Sequence, residues 1–401
     1  MAASQGERIP VPRSRTAGTG AGDLLQLLRD GRPRTLADLV EHTGLSRSTV
    51  RTRVDALVGA GYLTTTEDGH STGGRPAGRF AWNAHHAVVL AIDLGATHAV
   101  MAVLDLNRSV LVEHTWDRSI SDGPEAVLDE VLEHGRRLLA EVSVPRLAGI
   151  GVGLPGPVEH ATGRPTRPPI MPGWDGYDVV GHLGEFGAPV LVDNDANLMA
   201  LGEHASTWPK ERHLLFVKAA TGIGSGIISE GVLNRGAIGT AGDLGHVALS
   251  AADDVTCHCG NTGCLEAVAS GAAIIRTLRA SGMPVVSISE VVEAVRRGDP
   301  AAATLVRQAG RDIGTVLATC VSLLNPSVIV IGGELAAAGE SLLAGVREVV
   351  YRRSIPLATS TLRIVASETG YHAGVIGAAE MVIDRVFASD VVDSRILNAA
   401  S

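Results

Sequence analysis

The stretch from Gly242 to Ser270, GDLGHVALSAADDVTCHCGNTGCLEAVAS, holds three of the chain's four cysteines, at Cys257, Cys259 and Cys264, with a histidine, His246, ahead of them. Cys-x-Cys-x4-Cys with one histidine supplies four soft or borderline donors, the set a tetrahedral structural zinc requires. Gly260 and Gly263 let the loop turn tightly enough to bring the sulfurs onto one ion. Three buried, inert thiols are the plainer alternative. The scarcity of cysteine elsewhere and the Gly-rich approach to His246 favour Zn²⁺. Such a metal fixes the loop and so places Asp243, His246 and Glu266 relative to one another.

The segment CHCGNTGCLE resembles the Cys-x-Cys-Gly-x-x-Gly-Cys-x-Glu motif of the ROK family (repressor, open reading frame, kinase). GDLGH resembles the family's Glu-x-Gly-His, with aspartate in place of glutamate. The family holds sugar kinases and sugar-responsive transcription factors on one fold. The resemblance implies an α/β chain: an N-terminal winged helix-turn-helix followed by a two-lobed actin/hexokinase-like (ribonuclease H-like) ATPase fold. The cysteine loop does not separate kinase from regulator, so the rest of the chain must.

At 401 residues the chain has room for two or three domains. No run reaches the roughly 18 apolar residues of a membrane span. The opening MAASQGERIPVPRSR lacks an apolar signal core and reads as a disordered cytoplasmic tail, residues 1–19. Few cysteines, three of them placed for metal, suit a reducing compartment. Charge is uneven: residues 1–84 carry 11 arginines and no lysine against 8 acidic residues, while the whole chain is at −9. A basic head on an acidic body suits a nucleic-acid reader carried by a sensing domain.

Residues 20–84 contain three short helical patterns. Asp23 to Asp30 carries a leucine face and stops at Gly31. Thr35, with Asp38 three residues on, caps a second helix that ends near Thr43-Gly44. Ser46 caps a third, in which Val50, Val54, Leu57 and Val58 form the buried stripe. Arg47, Ser48, Thr49, Arg51 and Thr52 lie off that stripe, as the base- and phosphate-facing residues of a recognition helix do. A small helical packing domain with a solvated face is the alternative. Tyr62 to Thr66 and Phe80 to Trp82 then read as a hairpin with a Gly-rich tip, a wing whose Arg75 and Arg79 suit a minor groove or phosphates.

Residues 85–401 read as the two-lobed body, about 85–197 plus the C-terminal helix, and about 198–372. The turn Asp93-Leu94-Gly95-Ala96-Thr97 between two strands resembles the first phosphate loop of the fold. There Asp holds Mg²⁺ through water, and Thr and backbone N–H groups meet phosphate. Family kinases carry Gly-Gly-Thr, so Ala96 departs and narrows the turn. Thr221, Gly222 and Gly224 resemble the second phosphate loop, and Gly332-Gly333 the adenosine-side turn. Gly153 to Pro157 matches the loop that lies against sugar, and Trp174-Asp175 stands where the approach to sugar begins. Asn194 and Asp195 close a strand and open a helix, where ligands of such sheets collect. The resemblance gives Asn194 to sugar hydroxyls and makes Asp195 the general base of a kinase. The last helix is expected at about Gly374 to Phe387.

These features read as a sugar-responsive DNA-binding regulator, a repressor, acting as a homodimer or dimer of dimers on an inverted repeat. Its sugar is held by Gly156, Asn194, Asp195, Asp243, His246 and Glu266, and no membrane is involved. Carboxylates, an amide and an imidazole suit a polyol, whose hydroxyls both donate and accept. The alternative is a sugar kinase that keeps a DNA-binding head, with Mg-ATP on Asp93, Gly95, Thr97, Thr221, Gly222, Gly224, Gly332 and Gly333. Ala96 and the short Asp243 argue against turnover, so the chain is not expected to be an enzyme.

Overall fold

A computed structural model describes residues 20–66, 78–143 and 146–399. The head begins with α1 (Ala21–Leu28), which buries Leu24, Leu25 and Leu28. A short strand, β1 (Arg34–Thr35), leads into α2 (Leu36–Thr43). The entry to α2 is a capping box: Asp38 N–H donates to Thr35 Oγ1 at 3.2 Å and Thr35 N–H to Asp38 Oδ2 at 2.8 Å. Gly44, at φ 68°, ends α2 and donates to the Val40 carbonyl at 2.9 Å. Ser46 Oγ then accepts Thr49 N–H at 3.2 Å and opens α3 (Arg47–Gly59), whose Val50, Val54 and Leu57 are buried. β2 (Leu63–Thr66) and β3 (Arg79–Trp82) complete a three-stranded sheet in the order β1-β3-β2. The head is thus a winged helix-turn-helix. The wing tip with Arg75, and the N-terminal tail, lie outside the described residues.

The first lobe is built on β4 (Val88–Leu94), β5 (His98–Asp105) and β6 (Val110–Asp117), an antiparallel meander. After α4 (Pro124–Glu141), β7 (Leu147–Leu154) pairs parallel with β4. A ribbon of β8 (Val158–Glu159) and β9 (Arg164–Pro165) and the helix α5 (Val179–Leu183) follow. β10 (Val190–Asn194) then pairs parallel with β7 and feeds α6 (Asp195–Ser206).

The second lobe repeats this plan. β11 (Leu214–Ala219), β12 (Ile223–Ser229) and β13 (Val232–Leu233) form the meander. Helices α7 (Leu265–Ala269), α8 (Gly271–Ala280), α9 (Ile288–Arg296) and α10 (Pro300–Leu324) precede β14 (Val328–Gly332), parallel to β11. α11 (Glu340–Arg353) and α12 (Pro356–Thr359) precede β15 (Arg363–Ala366), parallel to β14. The sheets β6-β5-β4-β7-β10 and β13-β12-β11-β14-β15 therefore share one topology. Their central strands β4 and β11 are apolar except for Asp93 and Lys218 near their C-terminal ends, as strands covered on both faces are.

α13 (Ala373–Val386) lies between the lobes, against α6 and the first sheet. Glycines make this contact possible. A Cβ on Gly151 of β7 would stand 2.3 Å from the Ala378 carbonyl oxygen, and one on Gly202 of α6 2.0 Å from that of Ala373. On α13 itself, a Cβ at Gly377 would meet the Leu198 carbonyl oxygen at 1.7 Å. The buried Glu203 of α6 also ties down the approach to α13, accepting Ser367 Oγ at 2.6 Å and the N–H groups of Glu368 and Thr369. α6 runs from 195 to 206, so the division expected near residue 197 falls inside a helix.

The chain does not stop at Phe387. A further helix, α14 (Ser389–Ala399), packs on α1 of the head. Gly22 N–H donates to Asp393 Oδ1 at 2.8 Å, and Gln26 Nε2 to the Phe387 carbonyl at 2.7 Å. Phe387 stands edge-on to Tyr62 and Trp82 of the head, at 5.8 and 5.1 Å between ring centroids. Arg29 pairs with Asp384 at 2.7 Å. One continuous apolar cluster contains Leu24, Leu57 and Trp82 together with Ala378, Val382 and Phe387. Head and body thus share a core. Trp174 is a core residue too: fully buried in the first lobe, its Nε1 donates to the Ile120 carbonyl at 3.0 Å, which places it inside the lobe instead of at the approach to a ligand.

Candidate functional site

Between the lobes lies a cleft of about 580 Å³, formed where strands of both sheets end. It gathers Gly156, Asn194, Asp195, Asp243, His246 and Glu266 with Asp93, Gly95, Thr221, Gly222, Gly224, Gly332 and Gly333. Thr97 is not among its walls. That residue is exposed, its carbonyl accepts Arg118 N–H at 3.1 Å, and the neighbouring His98 faces the cleft in its place. The turn is a tight hairpin closed by Gly95 N–H on the His98 carbonyl, which sends alternate side chains to opposite sides.

Asn194 is both cap and bridge. Its Oδ1 accepts the N–H groups of Ala196 and Asn197 at 3.0 and 3.3 Å, and its Nδ2 donates to the Gly156 carbonyl at 3.1 Å. Beneath it Asp193, buried, accepts Arg235 Nε at 2.6 Å and Asn197 Nδ2 at 2.9 Å. The start of α6 is thereby fixed before any ligand arrives. Glu266 Oε2 accepts Ile223 N–H at 3.0 Å, and a Cβ on Gly222 would come within 2.5 Å of that oxygen. A side chain at 222 would therefore displace the Glu266 carboxylate from the Ile223 N–H.

Lys218, near the end of β11, reaches Asp195 and forms a hydrogen-bonded ion pair with Oδ2. Burial pushes the Asp93 carboxyl up to about 7, partly offset by the Lys218 charge, and its Oδ1 is sealed without a hydrogen-bond partner. Burial, with Lys218 nearby, holds the His98 imidazole below its ordinary value. A neutral imidazole both donates and accepts.

His246, Cys257, Cys259 and Cys264 converge at one wall of the cleft. Their donor atoms all lie within 4.8 Å of one another. Cys259 Sγ and Cys264 Sγ are 3.7 Å apart, as are Cys257 Sγ and His246 Nδ1. A tetrahedron with metal–sulfur bonds of about 2.3 Å has edges of about 3.8 Å, so the spacing fits one metal ion. Burial pushes the Cys264 thiol up to about 12, and a cation is what would make it a ligand thiolate.

On the head, Arg47, Ser48, Arg51 and Thr52 are exposed along one side of α3 and Thr49 is partly covered by the Ser46 hydroxyl, 2.8 Å from its own. Arg51 Nε pairs with Asp55 at 3.1 Å, both side chains exposed. Arg79 is half-buried in β3 opposite Thr35 and Thr66, close enough to Asp38 to act on its charge. Sequence reading missed Lys218, His98, Arg235 and α14. The one available signal for Lys218 was a lysine inside the apolar strand LLFVKA, in a chain with only Lys210 besides.

Residues 21–67 match the IclR helix-turn-helix domain. A xylose repressor of Caldicellulosiruptor bescii is 29% identical over 361 residues, covering 84% of this chain and 89% of that protein. A glucokinase of Thermotoga maritima is 30% identical over 315 residues, covering 74% of this chain and 98% of the enzyme. The crystal structure of a ROK family transcriptional regulator, a homolog of the E. coli MLC protein, superposes with a TM-score of 0.80 at 26% identity, over 94% of this chain and 98% of that one. Across residues 89–385, from β4 into α13, the chain matches the ROK family model, and it belongs to that family.

Proposed function

We propose that the chain is a sugar-responsive transcriptional repressor. Residues 20–84 bind operator DNA, and residues 85–401 form the sugar-binding body. The observation that carries this reading is α13, which begins beside Asp93 in the cleft and ends at Phe387 in the core of the head. A ligand that draws the lobes together acts on that helix, and the helix acts on the recognition surface. The relatives support it: the repressor match covers 84% of this chain, whereas the whole glucokinase accounts for 74% of it.

In this reading Gly156, Asn194, Asp195, Asp243, His246 and Glu266 hold the sugar, and zinc on His246, Cys257, Cys259 and Cys264 keeps the loop in place. His246 serves both, one ring nitrogen turned to the sulfurs and the other available to a hydroxyl. Arg47, Ser48, Thr49, Arg51 and Thr52 face DNA, and a symmetric homodimer or dimer of dimers reads an inverted repeat. The test begins with DNA selected by the full-length protein from a random pool. Fluorescence anisotropy on that DNA with D-xylose, D-glucose and N-acetyl-D-glucosamine should show release by one of them. No response to any of a broad sugar panel would reject the reading.

A second reading, a sugar kinase with a DNA-binding head, is favoured by Asp195 and by the glycine turns that line the cleft. Its mark would be ADP release with Mg-ATP and sugar, abolished by Asp195→Asn.

A further inference from the structure

Two carboxylates share the deep part of the cleft, Asp93 at the end of β4 and Asp195 at the start of α6. Paired carboxylates beside glycine turns are the usual seat of a divalent cation that escorts phosphates. In this chain a third group enters that seat. Lys218 stands on β11 directly between Gly224 of β12 and Gly332 of β14. No neighbouring side chain flanks it across the sheet, so its stem passes between two bare backbones into the cleft. Its ammonium is hydrogen-bonded to Asp195 Oδ2 and lies within the field of Asp93. Burial works to discharge it, but the two carboxylates outweigh burial and hold it protonated.

We propose that the Lys218 ammonium is a tethered cation that takes the place of the divalent ion between Asp93 and Asp195, so that the cleft receives an uncharged sugar without Mg²⁺. Mg²⁺ demands near-octahedral oxygen ligands at about 2.0–2.1 Å. A carboxylate already bonded to an ammonium cannot supply one without bringing two positive centres together. Their repulsion weakens divalent binding by on the order of a hundredfold or more. The same hydrogen bond occupies Asp195 Oδ2, one of the two oxygens a kinase could use as its base. The Mg-ATP that the fold accepts elsewhere therefore does not fit this site. Lys218 is a positioning residue: its hydrogen bond holds Asp195 still as an acceptor for sugar hydroxyls. This rests on the cleft being the sugar site.

The test is Mn²⁺ binding to the full-length protein, read by electron paramagnetic resonance. The wild type should leave Mn²⁺ free up to about millimolar concentration. Lys218→Met should bind one Mn²⁺ at least about 100-fold more tightly, and adding Asp93→Asn should abolish that gain. Lys218→Gln, whose amide still donates to Asp195, gives the same comparison should the methionine variant not fold. Wild-type binding of Mn²⁺ that Asp93→Asn removes would overturn the proposal. So would folded Lys218 variants, checked by circular dichroism, that gain no Mn²⁺. Sugar-driven release of DNA by the wild type, measured in parallel, separates this outcome from failure of the repressor reading.

Discussion

Gly374 in the first turn of α13 lies against Asp93: a Cβ there would stand 2.1 Å from the carboxylate Oδ2. The helix that reaches the DNA-binding head thus starts in contact with an acid of the cleft. Gly374→Ala should push these two apart. Overpacking of this kind costs about 1–3 kcal/mol. Thermal unfolding should show the loss, and anisotropy should show DNA binding that responds more weakly to sugar. A variant with unchanged melting and unchanged response would remove α13 from the signalling path.

Asp93 also gives a pH signature. Its folded value of about 7 lies above the ordinary 3.8, so the folded state holds an extra proton between those limits. Stability is therefore present below about pH 4 and is lost progressively as pH rises through about 7. Asp93→Asn should flatten that fall. Melting temperature against pH for both proteins checks it: the variant should gain on the wild type from pH 5 to pH 8. Parallel curves would show that Asp93 titrates normally.

The cysteine loop should carry one zinc per chain by elemental analysis. Cys257→Ser should lose the metal, lower the melting temperature and weaken sugar response, because Glu266 and His246 lean on the same loop. A strong chelator should do likewise to the wild type. Protein purified without chelator and free of zinc would refute the assignment.

On the head, Arg51→Ala should cost about 1–3 kcal/mol of DNA affinity if it meets a base edge, and relax specificity there. Asp55 holds the same guanidinium. Asp55→Ala should therefore tighten binding and steepen its salt dependence. Competition assays at two salt concentrations distinguish the effects, and equal affinity for all three proteins would take Arg51 off the DNA.

At the C-terminus, Asp393→Ala removes the acceptor of Gly22 N–H at the start of α1. The expected cost is about 1 kcal/mol, as for a lost helix cap. Hydrogen exchange should quicken in α1 first. Uniform exchange across the chain would mean that α14 does not support the head.

Much of this was legible beforehand. Thr35, Ser46 and Gly44 punctuate the head's helices through local hydrogen bonds, which sequence displays directly. The cysteine spacing foretold the cluster of four donors. What escaped depends on distant partners. Lys218 occupies a strand position that pattern reading assigns to either face, and only the meeting of two lobes shows that it points at Asp195. Thr97 was drawn into the cleft by its motif, but the hairpin's alternation turns it outward. α14 has a short apolar stripe, with Val392 alone fully buried, because it rests on one small helix instead of a sheet. The doubled topology of the lobes left no repeat in the sequence, since topology survives where side chains do not.

The glycines beneath α13 carry one more consequence. Where helices meet through interlocking side chains, sliding one past the other means lifting each tooth from its socket. At Gly151, Gly202 and Gly377 the bearing surfaces are bare backbone. Elsewhere along α13 such teeth remain, Val382 and Val386 over Gly149 among them, so the bare patches set how closely the rod beds and any side chain added there would act as a shim that lifts it.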